Sequence, residues 1–146
     1  MEKELLNTFD KELLLKDLCA RLPYGVKVQS TFYNCDGTIW KYENEILTAV
    51  LLVYPITRYK PYLFPISSMT EEQRKEMQEI IGNPNYACIM RKTGGLELWL
   101  ESVDTDPTIW LDTIFEVQDY LNKNHFDYRE LIEKGLAIDA TGLNIY

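Results

Sequence analysis

Apolar residues recur near the start of the chain at the spacing of a helix. Five of them follow at three- and four-residue steps and form one apolar stripe, which predicts a helix over residues 10–22. The stripe consists of Leu14, Leu15, Leu18, Cys19 and Leu22. A proline and a glycine directly after it, Pro23 and Gly25, are expected to end the helix.

Alternating apolar and polar residues predict strands in the next part of the chain. The two-residue period over 24–32 is typical of a half-buried strand, and Asp36-Gly37 favours a hairpin turn after it. Two more strands are expected over 38–42 and 45–54, joined by a turn at Glu43-Asn44. The second is nearly continuous in aliphatic residues, which predicts a central place in the sheet.

Residues 58–65 combine aromatic side chains with two prolines. Because proline lacks the backbone donor of a sheet ladder, we expect an edge strand or an ordered loop here. Thr70 and Gln73 then have the spacing of a capping box, which predicts a helix ending near Ile81.

The following segment predicts a second hairpin and a long helix. Residues 86–91 and 96–103 have the composition of two strands, joined around Gly94-Gly95. Asp106 before Pro107 is typical of a helix start, with an N-cap residue followed by proline in the first turn.

This helix is amphipathic. Its apolar residues fall on one face, namely Trp110, Ile114, Val117 and Leu121. Three acidic residues fall on roughly the opposite face, namely Asp112, Glu116 and Asp119.

A last short helix is expected from Asp127 to Gly135. Glu130 would complete its capping box, and Phe126 could pack on Leu131 as a hydrophobic staple. All these elements together predict one α+β domain over residues 1–146. It has a mainly antiparallel sheet of about five strands, with N-terminal, middle and two C-terminal helices.

Acidic residues outnumber basic ones and concentrate in the last third of the chain. The formal net charge is -8, from 23 acidic and 15 basic side chains. Residues 1–96 carry 12 of each, which leaves 11 acidic and 3 basic residues in 97–146. Such a field repels phosphate backbones and anionic membranes, so nucleic-acid binding is disfavoured.

The sequence favours a cytoplasmic protein. The longest apolar stretch, residues 46–56, is interrupted and is shorter than the roughly 20 residues that cross a bilayer. The N-terminus lacks the pattern of a signal peptide. Three scattered cysteines, Cys19, Cys35 and Cys88, fit neither a disulfide framework nor paired zinc ligands, so reduced thiols are expected.

No catalytic constellation is evident in the sequence. His125 lies next to Phe126 and Asp127, where a carboxylate could orient it as a base, but we expect it to satisfy the last carbonyls of the preceding helix. Four carboxylates between residues 97 and 106 form a local cluster. Their spacing does not match a calcium-binding loop, and a solvent-exposed acidic face accounts for them. The members of the cluster are Glu97, Glu101, Asp104 and Asp106. We therefore expect no bound metal and no cofactor.

Two segments have the composition of a partner-binding surface. The first is the acidic set of Asp112, Glu116 and Asp119, which can attract a basic protein surface, although solvent faces of helices are commonly charged. The second contains Arg58, Tyr59 and Tyr62, residue types that anchor protein contacts but also pack over sheet edges.

Three segments resemble a group of small uncharacterised proteins encoded by phages, prophages and genomes of anaerobic gut bacteria. They are residues 16–28 (KDLCARLPYGVKV), 60–70 (KPYLFPISSMT) and 124–137 (NHFDYRELIEKGLA). The resemblance implies a bacterial cytoplasm or a phage-infected cell. It implies no activity, cofactor or site residue.

The leading hypothesis is a small cytoplasmic, phage-associated accessory protein. It would bind a basic protein partner through the acidic face of the long C-terminal helix. The alternative is a small enzyme or nucleotide-binding protein with a pocket near residues 59–64. A third possibility is an assembly component that associates with itself.

Overall fold

The computed structural model describes residues 6–81, 86–90, 96–100 and 107–146, with side chains for 6–81 and 114–146. Its described residues contain three α-helices: α1 (Thr8–Arg21), α2 (Glu71–Ile81) and α3 (Pro107–Lys123). The strands are β1 (Lys27–Tyr33), β2 (Ile39–Ile46), β3 (Tyr59–Pro65), β4 (Tyr86–Met90), β5 (Leu96–Leu100), β6 (Phe126–Asp127) and β7 (Ile138–Asp139).

The main sheet is mixed and mostly antiparallel. Its order is β2-β1-β3-β6, and β7 also pairs with β3. Strand β1 runs antiparallel to both of its neighbours, whereas β6 and β7 run parallel to β3. Strands β4 and β5 form a two-stranded antiparallel sheet. The predicted α+β fold and the antiparallel pairing of these two strands are confirmed, while the predicted turn around Gly94-Gly95 lies outside the described residues.

Helix α1 buries a different stripe from the predicted one. Asn7 caps its start by accepting from the backbone N–H of Asp10 at 2.8 Å. The buried residues are Leu14, Asp17, Leu18 and Arg21. The expected positions Leu15 and Cys19 are exposed, because the helix is rotated so that a polar pair one turn apart points inward.

A β-bulge replaces the predicted turn at Glu43-Asn44. Strand β2 continues through this point with one extra residue opposite β1, and Asn44 takes a left-handed conformation with φ 59°. The predicted central strand over 45–54 is wrong. After β2 the chain instead forms a 3₁₀ turn at Ala49–Val53.

Strand β3 takes the inner place in the sheet, where the sequence predicted an edge or a loop. Each of its residues pairs on one side only. Tyr59–Pro61 pair with β1, Tyr62–Leu63 pair with β7, and Phe64–Pro65 pair with β6. No proline therefore sits in a two-sided ladder, which is the arrangement that excludes proline from central strands.

Helices α2 and α3 form where the sequence predicted them. In the capping box of α2, the N–H of Thr70 donates to Gln73 Oε1 at 2.9 Å. The N–H of Gln73 donates back to Thr70 Oγ1 at 3.2 Å. The predicted cap of α3 at Asp106 lies outside the described residues.

The predicted last helix from Asp127 is wrong. Residues 126–127 form β6, and turns follow. The Asp127 carboxylate does accept backbone donors, from Leu131 and Ile132 at 2.9 Å each, but these donors lie two residues farther on than the N2 and N3 donors of a helix cap. Glu130 is left-handed, with φ 60°, so the helix cannot continue through it. The range 107–146 therefore contains one helix.

Two apolar clusters make most of the described core. The first lies between α1, the sheet and the turns after β6. The second joins α2 and α3 to Ile66 and Phe126. A smaller cluster of Tyr62, Ala140 and Ile145 packs the end of the chain against β3. The second cluster fixes which face of α3 points inward.

Candidate functional site

Helix α3 is anchored against α2 by its apolar face. Val117 and Leu121 are 5% and 2% exposed and pack with Met77 of α2. Beside them, the hydroxyl of Tyr120 donates to Glu76 Oε2 at 2.8 Å. Burial, and then this carboxylate, raise the pKa of Tyr120. The orientation of α3 is therefore set by packing and by a charge-assisted hydrogen bond.

The opposite face of α3 carries the predicted acidic residues. Glu116 and Asp119 are exposed, while the side chain of Asp112 lies outside the described ones. Phe115 directly precedes Glu116 in the sequence, and its side chain is 59% exposed. Residues 112, 115, 116 and 119 have the i, i+3, i+4, i+7 spacing of one helical stripe. We call this set, Asp112, Phe115, Glu116 and Asp119, the α3 stripe.

One end of the α3 stripe touches the loop after α1. The hydroxyl of Tyr24 donates to Asp119 Oδ1 at 3.2 Å. Desolvation, and then the charge of this carboxylate, raise the pKa of Tyr24. The contact is solvent-exposed, so Asp119 is positioned while its charge stays at the surface.

The second predicted binding segment is largely internal. Tyr59 and Tyr62 are 1% and 3% exposed, and the Tyr59 hydroxyl donates to the carbonyl of Leu51 at 2.7 Å. Burial raises the pKa of both tyrosines. The Arg58 guanidinium lies over the Phe32 ring, 5.0 Å from its centroid. These two tyrosines fill the core because β3 is an inner strand, so they offer no surface to a partner.

His125 is a buried, neutral ring. It is 9% exposed and stacks on Tyr146 with 3.7 Å between ring centroids. Burial, and then the charges of Arg21 and Lys27, lower the pKa of its imidazole to about 4. Its Nδ1 atom has no hydrogen-bond partner among the described residues.

The imidazole of His125 fills neither expected role, although the backbone N–H of His125 does donate to the carbonyl of Asn122 in the last turn of α3, at 3.1 Å. Asp127 does not orient the imidazole, since its carboxylate accepts the two backbone N–H groups given above. The end of α3 is capped by Asn124, whose Nδ2 donates to the carbonyl of Tyr120 at 2.9 Å. With φ 61°, the left-handed backbone of His125 directs the ring toward Tyr146 instead.

A buried ion network links α1 to the chain after β6. Asp17 accepts from Arg21 Nε at 2.8 Å and from Arg129 Nη1 at 2.9 Å. Arg21 also donates to the carbonyl of Phe126 at 2.6 Å. The i, i+4 spacing of Asp17 and Arg21 was the available sequence signal. Arg21 Nη1 is buried without a hydrogen-bond partner among the described residues. The burial of Asp17 and Arg21, together with the hydrogen bonds given above, indicates a structural role.

The cysteines and acidic clusters add no reactive centre among the described side chains. Cys35 is exposed, as expected for a turn, and Cys19 is exposed rather than buried. No group of three or more potential ligands in the described part could hold a metal ion. Cys88 and the cluster of Glu97, Glu101, Asp104 and Asp106 lie outside the described side chains.

The β1–β2 hairpin carries an aromatic surface that the sequence reasoning missed. Phe32, Asn34, Trp40 and Tyr42 line an open groove of about 320 Å³. Phe32 and Tyr42 meet edge to face with ring centroids 5.7 Å apart. The available signal was the two-residue spacing of Trp40 and Tyr42, which places both on one face of the strand.

Comparisons with family models, curated proteins and solved structures found no match to this chain. None of the helices described here has the length and apolar character needed to span a membrane.

Proposed function

We propose that this chain is a small phage-associated accessory protein that acts in the bacterial cytoplasm by binding another protein. The contact surface is the α3 stripe, and the partner presents a basic surface with an apolar recess. The observation that carries this proposal is the exposed Phe115 beside the exposed carboxylates of Glu116 and Asp119.

An exposed aromatic ring within a charged stripe has the composition of a protein contact. Aromatic side chains supply much of the binding energy at the centre of interfaces, and a charged rim selects and steers the partner. Phe115 has this position, with Glu116 next to it and Asp119 one turn later. The excess of acidic residues in 97–146 adds long-range attraction for a basic partner.

The first test is affinity purification of the tagged chain from an anaerobic gut bacterium, the kind of host that the resemblance implies. The stripe variant carries Asp112→Lys, Glu116→Lys and Asp119→Lys. The matched control carries Glu12→Lys, Glu79→Lys and Glu133→Lys, three exposed acids on other parts of the chain. Each variant replaces three charges of -1 by +1, so both change the net charge from -8 to -2.

We expect the stripe variant to lose a partner that the parent and the matched control both recover. Loss in both variants would show that net charge alone matters, and retention in both would refute the α3 stripe.

A second pair of variants tests the aromatic anchor. Phe115→Ala should weaken binding about tenfold or more, the typical effect of removing an interface aromatic. Phe9→Ala is the matched control, because Phe9 is 66% exposed on α1. Equal affinity of the Phe115→Ala variant and the parent would exclude Phe115 as an anchor.

A further inference from the structure

Exposed apolar side chains concentrate on the hairpin and the turn after it. Eight of the thirteen large exposed apolar side chains in the described residues lie within residues 33–54. We call these eight the hairpin surface: Tyr33, Ile39, Trp40, Tyr42, Ile46, Val50, Val53 and Tyr54. Singly scattered apolar side chains are normal on protein surfaces, whereas a concentration of them marks an interaction site.

Strand β2 is the outer strand on its side of the main sheet. Within the described sheet it pairs with β1 alone, and all of its residues except Glu45 are exposed. An outer strand presents backbone donors and acceptors that another strand can pair with. The hairpin surface therefore includes an edge as well as a face.

Apolar residues lie on both faces of β2. Phe32 pairs with Trp40 and Tyr33 pairs with Ile39, so Trp40 and Ile39 project to opposite faces of the sheet. They are 52% and 37% exposed. A ligand lying on one face would leave the other apolar face in water. A strand added at the edge extends both faces at once.

The charges on β2 suit a second copy of the same strand. Lys41 and Glu43 lie on either side of Tyr42. We propose that β2 pairs antiparallel with β2 of a second copy, about a two-fold axis beside Tyr42. Each Lys41 then faces Glu43 of the second copy, so the edge complements itself. The bulge at 43–44 keeps the regular pairing short, and side chains supply most of the contact.

The exposed area matches what a stable dimer needs. The eight side chains are between 37% and 77% exposed. At roughly 200 Å² for a large side chain, the hairpin surface offers roughly 900 Å² per chain. A standard interface buries about 800 Å² on each partner. This agreement favours a second copy over a small ligand, which would cover only the groove beside Trp40.

The test is the mass of the full chain in solution, measured by sedimentation equilibrium over a concentration series. We expect a species of twice the chain mass of 17.1 kDa. Trp40→Glu should raise the dimer Kd about 30-fold or more. Phe9→Glu, on the exposed face of α1, should leave it unchanged. A parent chain that stays monomeric up to about 1 mM overturns the proposal.

Charge reversal tests the pairing itself and controls for misfolding. Lys41→Glu places like charges opposite each other and should weaken the dimer. Adding Glu43→Lys restores opposite charges in the self-paired strand and should restore the dimer. A dimer indifferent to Trp40→Glu and Lys41→Glu, or a double variant that stays dissociated, would contradict this interface. The test does not involve the α3 stripe, so its outcome is independent of the proposed function.

Discussion

Removing the carboxylate of Asp17 should destabilise the fold more than any surface change. Asp17 and Arg21 are both 0% exposed, and Asp17 binds two arginines. In Asp17→Ala, the contacts that Arg21 retains among the described residues are the carbonyl of Phe126 and the face of Tyr128, 5.2 Å from its guanidinium carbon. A buried charge that loses its counter-ion costs about 3–5 kcal/mol.

The order of related variants follows from exposure. The Arg129 side chain is 18% exposed, so Arg129→Ala leaves less buried charge uncompensated and should cost about 1–2 kcal/mol. Glu12→Ala, on the exposed face of α1, should change stability by no more than about 0.5 kcal/mol. Because domains of this size are stable by about 5–15 kcal/mol, the Asp17 loss is a large fraction of the total.

Urea unfolding followed by circular dichroism measures these differences. The midpoint should fall in the order parent, Arg129→Ala, Asp17→Ala, with an unchanged slope if the unfolding remains two-state. A loss below about 1 kcal/mol for Asp17→Ala would place the network in solvent and refute this reasoning.

Three further predictions concern titration, the end of the chain and small ligands. In an NMR titration, the pKa of His125 should lie near 4. The unfolded chain takes up this proton nearer its usual 6.5, so stability should fall as pH drops below 6.5 and level off below 4; a folded-state pKa near 6.5 would contradict the burial. Tyr146→Phe should cost about 1–2 kcal/mol in urea unfolding, because its hydroxyl accepts from the N–H of Lys27 at 2.9 Å and donates to the carbonyl of Tyr62 at 2.8 Å. No measurable loss would mean that water replaces both contacts. A panel of nucleotides and divalent cations should leave Tm unchanged, and a concentration-dependent rise would support the alternative of a small enzyme or nucleotide-binding protein.

Local signals in the sequence predicted where α1, α2 and α3 form. The capping box of Thr70 and Gln73 forms as expected, because both partners lie within one turn. Local signals did not determine which face of α1 is buried. Two overlapping stripes are compatible with its spacing, and the ion pair of Asp17 and Arg21 with partners far along the chain selects one of them.

The strand order of the sheet could not be predicted, because it depends on contacts between segments that are far apart in the sequence. The inner place of β3 requires pairing on different sides along its length, with β1 first and then β7 and β6. The prediction of a last helix was wrong because the backbone of Glu130 is left-handed and the Asp127 carboxylate accepts from backbone N–H groups of a turn. In the α3 stripe, spacing located Glu116 and Asp119, while the exposure of Phe115 emerged only from the packing of α2 on α3.

The most direct measurement of the central claim is the association rate of the recovered partner with the purified chain as ionic strength is raised. If the α3 stripe steers a basic partner, the rate should fall about tenfold or more from low to moderate salt. The variant with Asp112→Lys, Glu116→Lys and Asp119→Lys should associate slowly at every salt concentration. A rate that does not change with salt, or that falls equally in this variant, would contradict binding through the α3 stripe.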